Sequence, residues 1–282
     1  MKVFKIPLLS FAIVLAAFFT SCKSDETTDA DALTSTAQYE VKTAGMSDEI
    51  VIETDDYINN VQRAGFSAAP SINKKDTFPI VTVDKPDTLN FPKTITIDFG
   101  TTGVVTKRGN SLKGKIIVVL TGKMNIIGST RSVSFNGFSI NNNVVEGTKT
   151  VIFSGYTDDM HPYWTINSNL VVTFTDGQVF TWNSQRIRER ISDNNTPLRF
   201  WDDKYAITGS AYGTDKDGDD YSILIDGNNP LILDGGYPFF VKGTMTVTIG
   251  KRNLIIDYGD GAKDNKATVT VGGVTKEINM GR

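Results

Sequence analysis

The sequence predicts an all-β protein, a large antiparallel meander of hairpins, sandwich- or barrel-like, preceded by one short N-terminal helix. Three observations carry this fold class. Apolar and polar residues alternate with period two: Met245, Val247 and Ile249 oppose Thr244, Thr246 and Thr248, and Ala267, Val269 and Val271 oppose Thr268 and Thr270. Glycine pairs suited to positive φ separate such runs, with Asp176-Gly177 and Gly272-Gly273 spaced for two-residue hairpins. Beyond residue 93 no helical stretch of about 12 residues intervenes between strands, which excludes parallel crossover units and leaves about 13 to 15 antiparallel strands.

In chain order, residues 1–21 have the pattern of a lipoprotein signal peptide. Lys2 and Lys5 form a positive start, residues 6–19 an apolar run too short to span a bilayer, and Thr20-Ser21 precede Cys22, the only cysteine. Phe19 stands where Leu is more usual. This pattern makes Cys22 the lipidation residue and outer-membrane lipid the first partner, since two acyl chains suffice for stable anchoring. The competing reading is an ordinary secretory signal ending near a cysteine. Residues 22–43 are expected to be a flexible acidic tether. Its first residues, Lys23-Ser24-Asp25-Glu26, resemble the export signal that sends Bacteroidota lipoproteins to the outer face of the outer membrane.

Residues 44–92 are expected to hold a short helix and a proline-rich connector. Over 47–64, Ser47 is placed to cap, Asp48 and Glu49 suit the first turn, and Arg63 the last. Ile50, Tyr57, Ile58 and Val61 share one face, and Gly65 ends the helix. Pro70, Pro79, Pro86 and Pro92 then enforce an extended path with one short strand at 80–83.

Residues 93–282 form the β domain, in which two patterns recur. Residues 94–122 and 254–273 both run through Ile-Asp-aromatic-Gly into a polar loop and a lysine-led strand, which marks a reused hairpin with Asp98 and Asp257 shaping turns. Val145-Glu146-Gly147, Val241-Lys242-Gly243 and Ile207-Thr208-Gly209 open similar strands, each with glycine at a bend or close approach. Asn136-Gly137 suits a third hairpin turn or a bulge.

Few constellations carry chemistry. The formal charge of −3 argues against nucleic acid as a partner, and a single cysteine forbids a disulfide within the chain. His161 is the only histidine, no Gly-x-Ser-x-Gly elbow exists, and no second histidine or cysteine completes a zinc site, so no catalytic residue or cofactor is assigned. No metal is assigned: Asp215, Asp217 and Asp219 are the candidates for a calcium ion, but Gly218 precedes the third aspartate and no glutamate closes the loop, so a hairpin turn centred on Asp217-Gly218 is the preferred account. A glycosidase needs two carboxylates facing a sugar, and nothing selects a pair from Glu146, Glu189, Glu277 and the turn aspartates.

The candidate ligand site is the strand at 180–191. Trp182, Ser184, Arg186, Arg188 and Arg190 alternate onto one face, with Ile187 and Ile191 on the other, which is expected to meet the core. An indole beside guanidiniums suits a sugar ring and an acidic group, so Trp182, Arg186, Arg188 and Arg190 are the ligand-binding candidates. The alternative is a solvated face whose arginines pair with carboxylates such as Asp202 and Asp203.

Residues 92–100 (PKTITIDFG), 146–151 (EGTKTV), 180–189 (FTWNSQRIRE) and 256–270, together with the lipidation pattern, resemble a family of uncharacterised Bacteroidota lipoproteins. The resemblance covers most of the mature chain and implies a secreted, lipid-anchored β protein. It brings no activity and no functional residues. Lys263 departs from the pattern, standing where relatives often have a cysteine. The expected role is a surface-anchored binding or structural lipoprotein contacting an extracellular glycan or a partner protein at the outer membrane. The alternative is a carbohydrate-active hydrolase with unidentified carboxylates.

Overall fold

A computed structural model describes residues 24–66, 78–192 and 202–281, with side chains from residue 33 onward. Helix α1 (Ser24–Arg63) is followed by β1 (Ile80–Val83), β2 (Lys93–Asp98), β3 (Val104–Val105), β4 (Ser111–Leu120), β5 (Thr130–Ile140), β6 (Asn143–Tyr156), β7 (Pro162–Thr173) and β8 (Val179–Arg190). Then come β9 (Lys204–Thr214), β10 (Asp220–Ile225), β11 (Leu231–Asp234), β12 (Phe240–Ile249), β13 (Arg252–Asp260), β14 (Lys266–Val271) and β15 (Val274–Asn279). The strands form one sheet in which chain order is spatial order. Only β3, paired to β4, and β11, between β9 and β12, leave the path. The antiparallel meander is therefore present as expected, rolled into a trough whose end strands β1 and β15 are not paired with each other.

Helix α1 lies in the trough, touching β2 towards one end of the sheet and β13, β14 and β15 towards the other. It is longer than the sequence suggested, beginning at Ser24 rather than Ser47. Residues 24–43, within the 22–43 stretch expected to be a tether, are helical, and Leu33, Ala37, Val41 and Ala44 form an apolar stripe at helical spacing, all four buried. The centre contains Ile50-Val51-Ile52, β-branched residues with modest helix propensity, and each is buried. Enclosure by the sheet, not intrinsic preference, holds this helix. Ser47 is consequently no cap; it sits mid-helix, where its carbonyl and hydroxyl accept from Lys149 Nζ at 2.7 and 2.6 Å. The end at Gly65 is as expected: Phe66 N–H donates to the Val61 carbonyl and Gly65 N–H to that of Gln62, satisfying two terminal carbonyls.

The repeated glycine strands explain the curl of the sheet. Gly147, Gly209 and Gly243 have φ of 106°, 124° and 99°, and a Cβ would lie 2.1, 2.3 and 2.0 Å from a carbonyl oxygen of Asn169, Gln185 and Pro230 respectively. Only glycine tolerates both the positive φ and this approach. In the reused hairpins, Asp98 and Asp257 each accept the N–H two residues ahead, from Gly100 and Gly259, at 2.8 Å. They are turn-shaping residues. Asn136-Gly137 lies in a bulge inside β5, where the pairing with β6 shifts register between Ser134 and Ser139.

Candidate functional site

Strand β8 presents Trp182, Arg186, Arg188 and Arg190 to the concave face, with exposures of 0, 2, 1 and 4%. The expected core-facing residues Ile187 and Ile191 are instead 45% and 37% exposed. The side assignment is thus reversed, and Trp182 offers no open platform for a sugar ring. The cause is α1, whose carboxylates enter the trough and partner the basic row. Arg186 Nη1 lies 3.3 Å from Asp48 Oδ2 and its guanidinium stacks on Trp182 at 4.7 Å. Arg131 of β5 meets Asp55 at 2.9 Å, and Arg190 meets Asp203 at 2.8 Å; the Asp203 partner is the one the pairing alternative named, but the solvated face it supposed is contradicted by the burial of the arginines. On another side of the helix, Arg108 pairs with Glu49 and donates to the Tyr237 carbonyl.

Arg188 differs from its neighbours. Its guanidinium stacks on Tyr205, 3.9 Å from the ring centroid, yet among the described residues none of its three nitrogens has a hydrogen-bond partner. Burial shifts several groups beside this row. It pushes Lys149 down from 10.5 to about 7, with Asp48 opposing and the Arg186 and Arg188 charges adding. It pushes Glu40 up from 4.5 to about 7, moderated by Tyr221 and Arg186. Asp55 is raised and Arg131 lowered by the same desolvation.

The aspartates considered for calcium form a turn. Asp215 Oδ1 accepts the N–H groups of Asp217 and Asp219 at 2.9 and 3.0 Å, while Oδ2 accepts the Thr36 hydroxyl at 3.0 Å. The β9–β10 turn is thereby tied to α1. Among the described residues, no group of three or more His, Cys, Asp or Glu side chains is arranged to hold a metal. His161 contacts Glu189 at 2.7 Å through Nδ1. Cys22 lies outside the described residues.

Where the C-terminal end of α1 reaches the edge of the trough, an open cleft of about 420 Å³ forms. Its size lies within the range of small-ligand sites. Phe153 and Trp164 make the floor, their ring centroids 5.7 Å apart, and Tyr156 stands edge-on to Phe153 at 5.5 Å. Tyr156 is 49% exposed and Met160, held at φ 63° in the β6–β7 turn, is 65% exposed. Asn59 and Gln62 from α1 supply amides, and Arg190 is the one sequence candidate that lines this cleft. Aromatic faces beside amide groups and a guanidinium can stack on a ring and hydrogen-bond its substituents. Among the described lining residues there is no carboxylate. Sequence reading missed Tyr156 and Trp164 because they lie on different strands, and only the register Tyr156↔Pro162 and Phe153↔Trp164 joins them.

The chain matches no protein-family model, no curated protein and no solved structure.

Proposed function

We propose that the protein is a lipid-anchored binding protein of the outer membrane, of the Bacteroidota lipoprotein type, displayed at the cell surface through acylated Cys22. Its ligand is the end of an extracellular glycan, taken into the cleft beside Tyr156. The cleft is the observation that carries this reading, because it exposes an aromatic ring and amide side chains at one open site. The anchoring part rests on the sequence around Cys22. Binding is favoured over hydrolysis because the described residues of the cleft supply no carboxylate to act as acid or nucleophile.

A glycan and polysaccharide panel applied to the purified chain tests the reading. Tyr156→Ala is expected to weaken retention on the responsive glycan by about tenfold or more, the equivalent of losing one stacked ring. Equal retention by the variant would remove the cleft as the site. Sugar release from any member of the panel would favour the hydrolase, and capture by a surface protein without glycan response would favour a structural subunit.

A further inference from the structure

Three guanidiniums, Arg131, Arg188 and Arg190, are packed with Tyr205 between the sheet and α1, and two carboxylates meet them. Asp55 takes Arg131 and Asp203 takes Arg190. Among the described residues Arg188, only 1% exposed, has no hydrogen-bond acceptor for Nε, Nη1 or Nη2, and the one Asp55 charge is shared between Arg131 and Arg188. Arg131 Nη2 and the Tyr205 hydroxyl beside it are also buried without a hydrogen-bond partner among the described residues. The Tyr205 ring covers one side of the Arg188 plane, and the in-plane donors remain to be met. A guanidinium cannot shed its proton, so unlike a buried lysine it cannot relieve a surplus charge by becoming neutral. An uncompensated buried charge is among the costliest features a fold can contain. Water could accept these hydrogen bonds but would leave the charge, whereas an anion meets both needs.

We propose that a small monovalent anion of the chloride class is held inside the roll by Arg188, with Arg131 Nη2 and the Tyr205 hydroxyl as further donors. One surplus positive charge sets the valence. The enclosure of Arg131, Arg188 and Tyr205, each at most 1% exposed, sets the size. The site lies behind the cleft proposed for glycan, whose Trp164 stands 6.4 Å from Tyr205, and the proposal does not depend on glycan binding there.

Bromide is the probe. The purified full chain is melted in sodium chloride, sodium bromide and sodium gluconate at equal ionic strength, so that surface screening is the same in all three. A saturable rise in Tm is expected with either halide, reaching about 5 °C at a hundred times the dissociation constant. Arg188→Met is expected to abolish that rise, and crystals grown in bromide should show an anomalous peak within hydrogen-bonding distance of Arg188. Equal Tm in all three salts, an undiminished halide response in Arg188→Met, or water alone beside Arg188 would overturn the proposal. Should Arg188→Met not fold, the anomalous map of the unaltered chain decides.

Discussion

On the concave side of β5–β8 stand Arg131, Lys149, Arg186, Arg188 and Arg190, all buried, while a convex row on strands β5–β9 runs Ser132, Thr150, Asn167, Gln185 and Ser210. The interior of this region is charged and the exterior row is neutral. Usual expectation places charges outside, since Lys and Arg are almost never fully buried unless paired. The difference shows that the basic row belongs to a helix–sheet lock: Asp48 and Asp55 lie one heptad apart on α1 and meet Arg186 and Arg131 respectively. A buried ion pair of this kind need not add net stability over an apolar contact, but it fixes which way the helix faces and how far it is inserted. Two turns along a helix return to the same face, so the two pairs together set both rotation and depth.

Breaking the lock from the helix side has the largest expected effect. Asp55→Ala leaves Arg131 buried without its carboxylate and should lower unfolding stability by about 3–5 kcal/mol in urea titration. Gln185, on the convex face between Ser184 and Arg186 in sequence, should tolerate a change with little loss.

The pH dependence sharpens the same contrast. Glu40 has a folded pKa near 7, above its ordinary 4.5, so the fold favours its protonated form. Its contribution is fully present below about 4.5 and is lost as pH rises to about 7. Lys149 has a folded pKa near 7, below its ordinary 10.5, so the fold disfavours its charged form, and stability is regained as pH rises from about 7 towards 10.5. These two buried groups together place a minimum of stability near pH 7. Thermal melts across pH 4–10 should show it; Glu40→Gln should lessen the acid limb, to which Glu53, pushed by burial from 4.5 to about 8, also contributes, and Lys149→Met should flatten the alkaline limb. An unchanged slope in both variants would mean that neither group is enclosed.

The smallest effect is expected outside. Gln185→Lys adds a charge to an exposed position and should change stability by no more than about 0.5 kcal/mol by the same titration. A loss comparable to that of Asp55→Ala would place Gln185 in the interior and reverse the sides of β8.

Much of the fold was legible in residues 93–282. Period-two alternation and the pairs Asp176-Gly177 and Gly272-Gly273 located hairpins that the strand pairings reproduce. The glycines at 147, 209 and 243 were recognisable as one device, because positive φ and close approach demand the same residue wherever they occur. The sides of β8 were not legible. In β8 each face mixes apolar with polar residues, Phe180 and Trp182 with the arginines and Ile187 with Gln185 and Glu189, so the isoleucines pointed to the wrong side, and a one-residue change of side exchanges every neighbour. The deciding information lies in Asp48 and Asp55, more than a hundred residues away in the chain. The N-terminal half of α1 was hidden for a related reason: its stripe of Leu33, Ala37, Val41 and Ala44 is small and flanked by acidic and hydroxyl residues, so composition suggested a tether. The cleft escaped because Tyr156 and Trp164 come together only through the β6–β7 register.

The helix–sheet lock is tested most directly by a double-mutant cycle on Asp55 and Arg131, using Asp55→Ala, Arg131→Met and the double variant, with unfolding stability measured in urea. Enclosure between α1 and β5 predicts a coupling of about 2–3 kcal/mol, with the double variant recovering much of what either single change loses. A coupling below about 0.5 kcal/mol, the value of an exposed ion pair, would contradict a helix locked inside the roll.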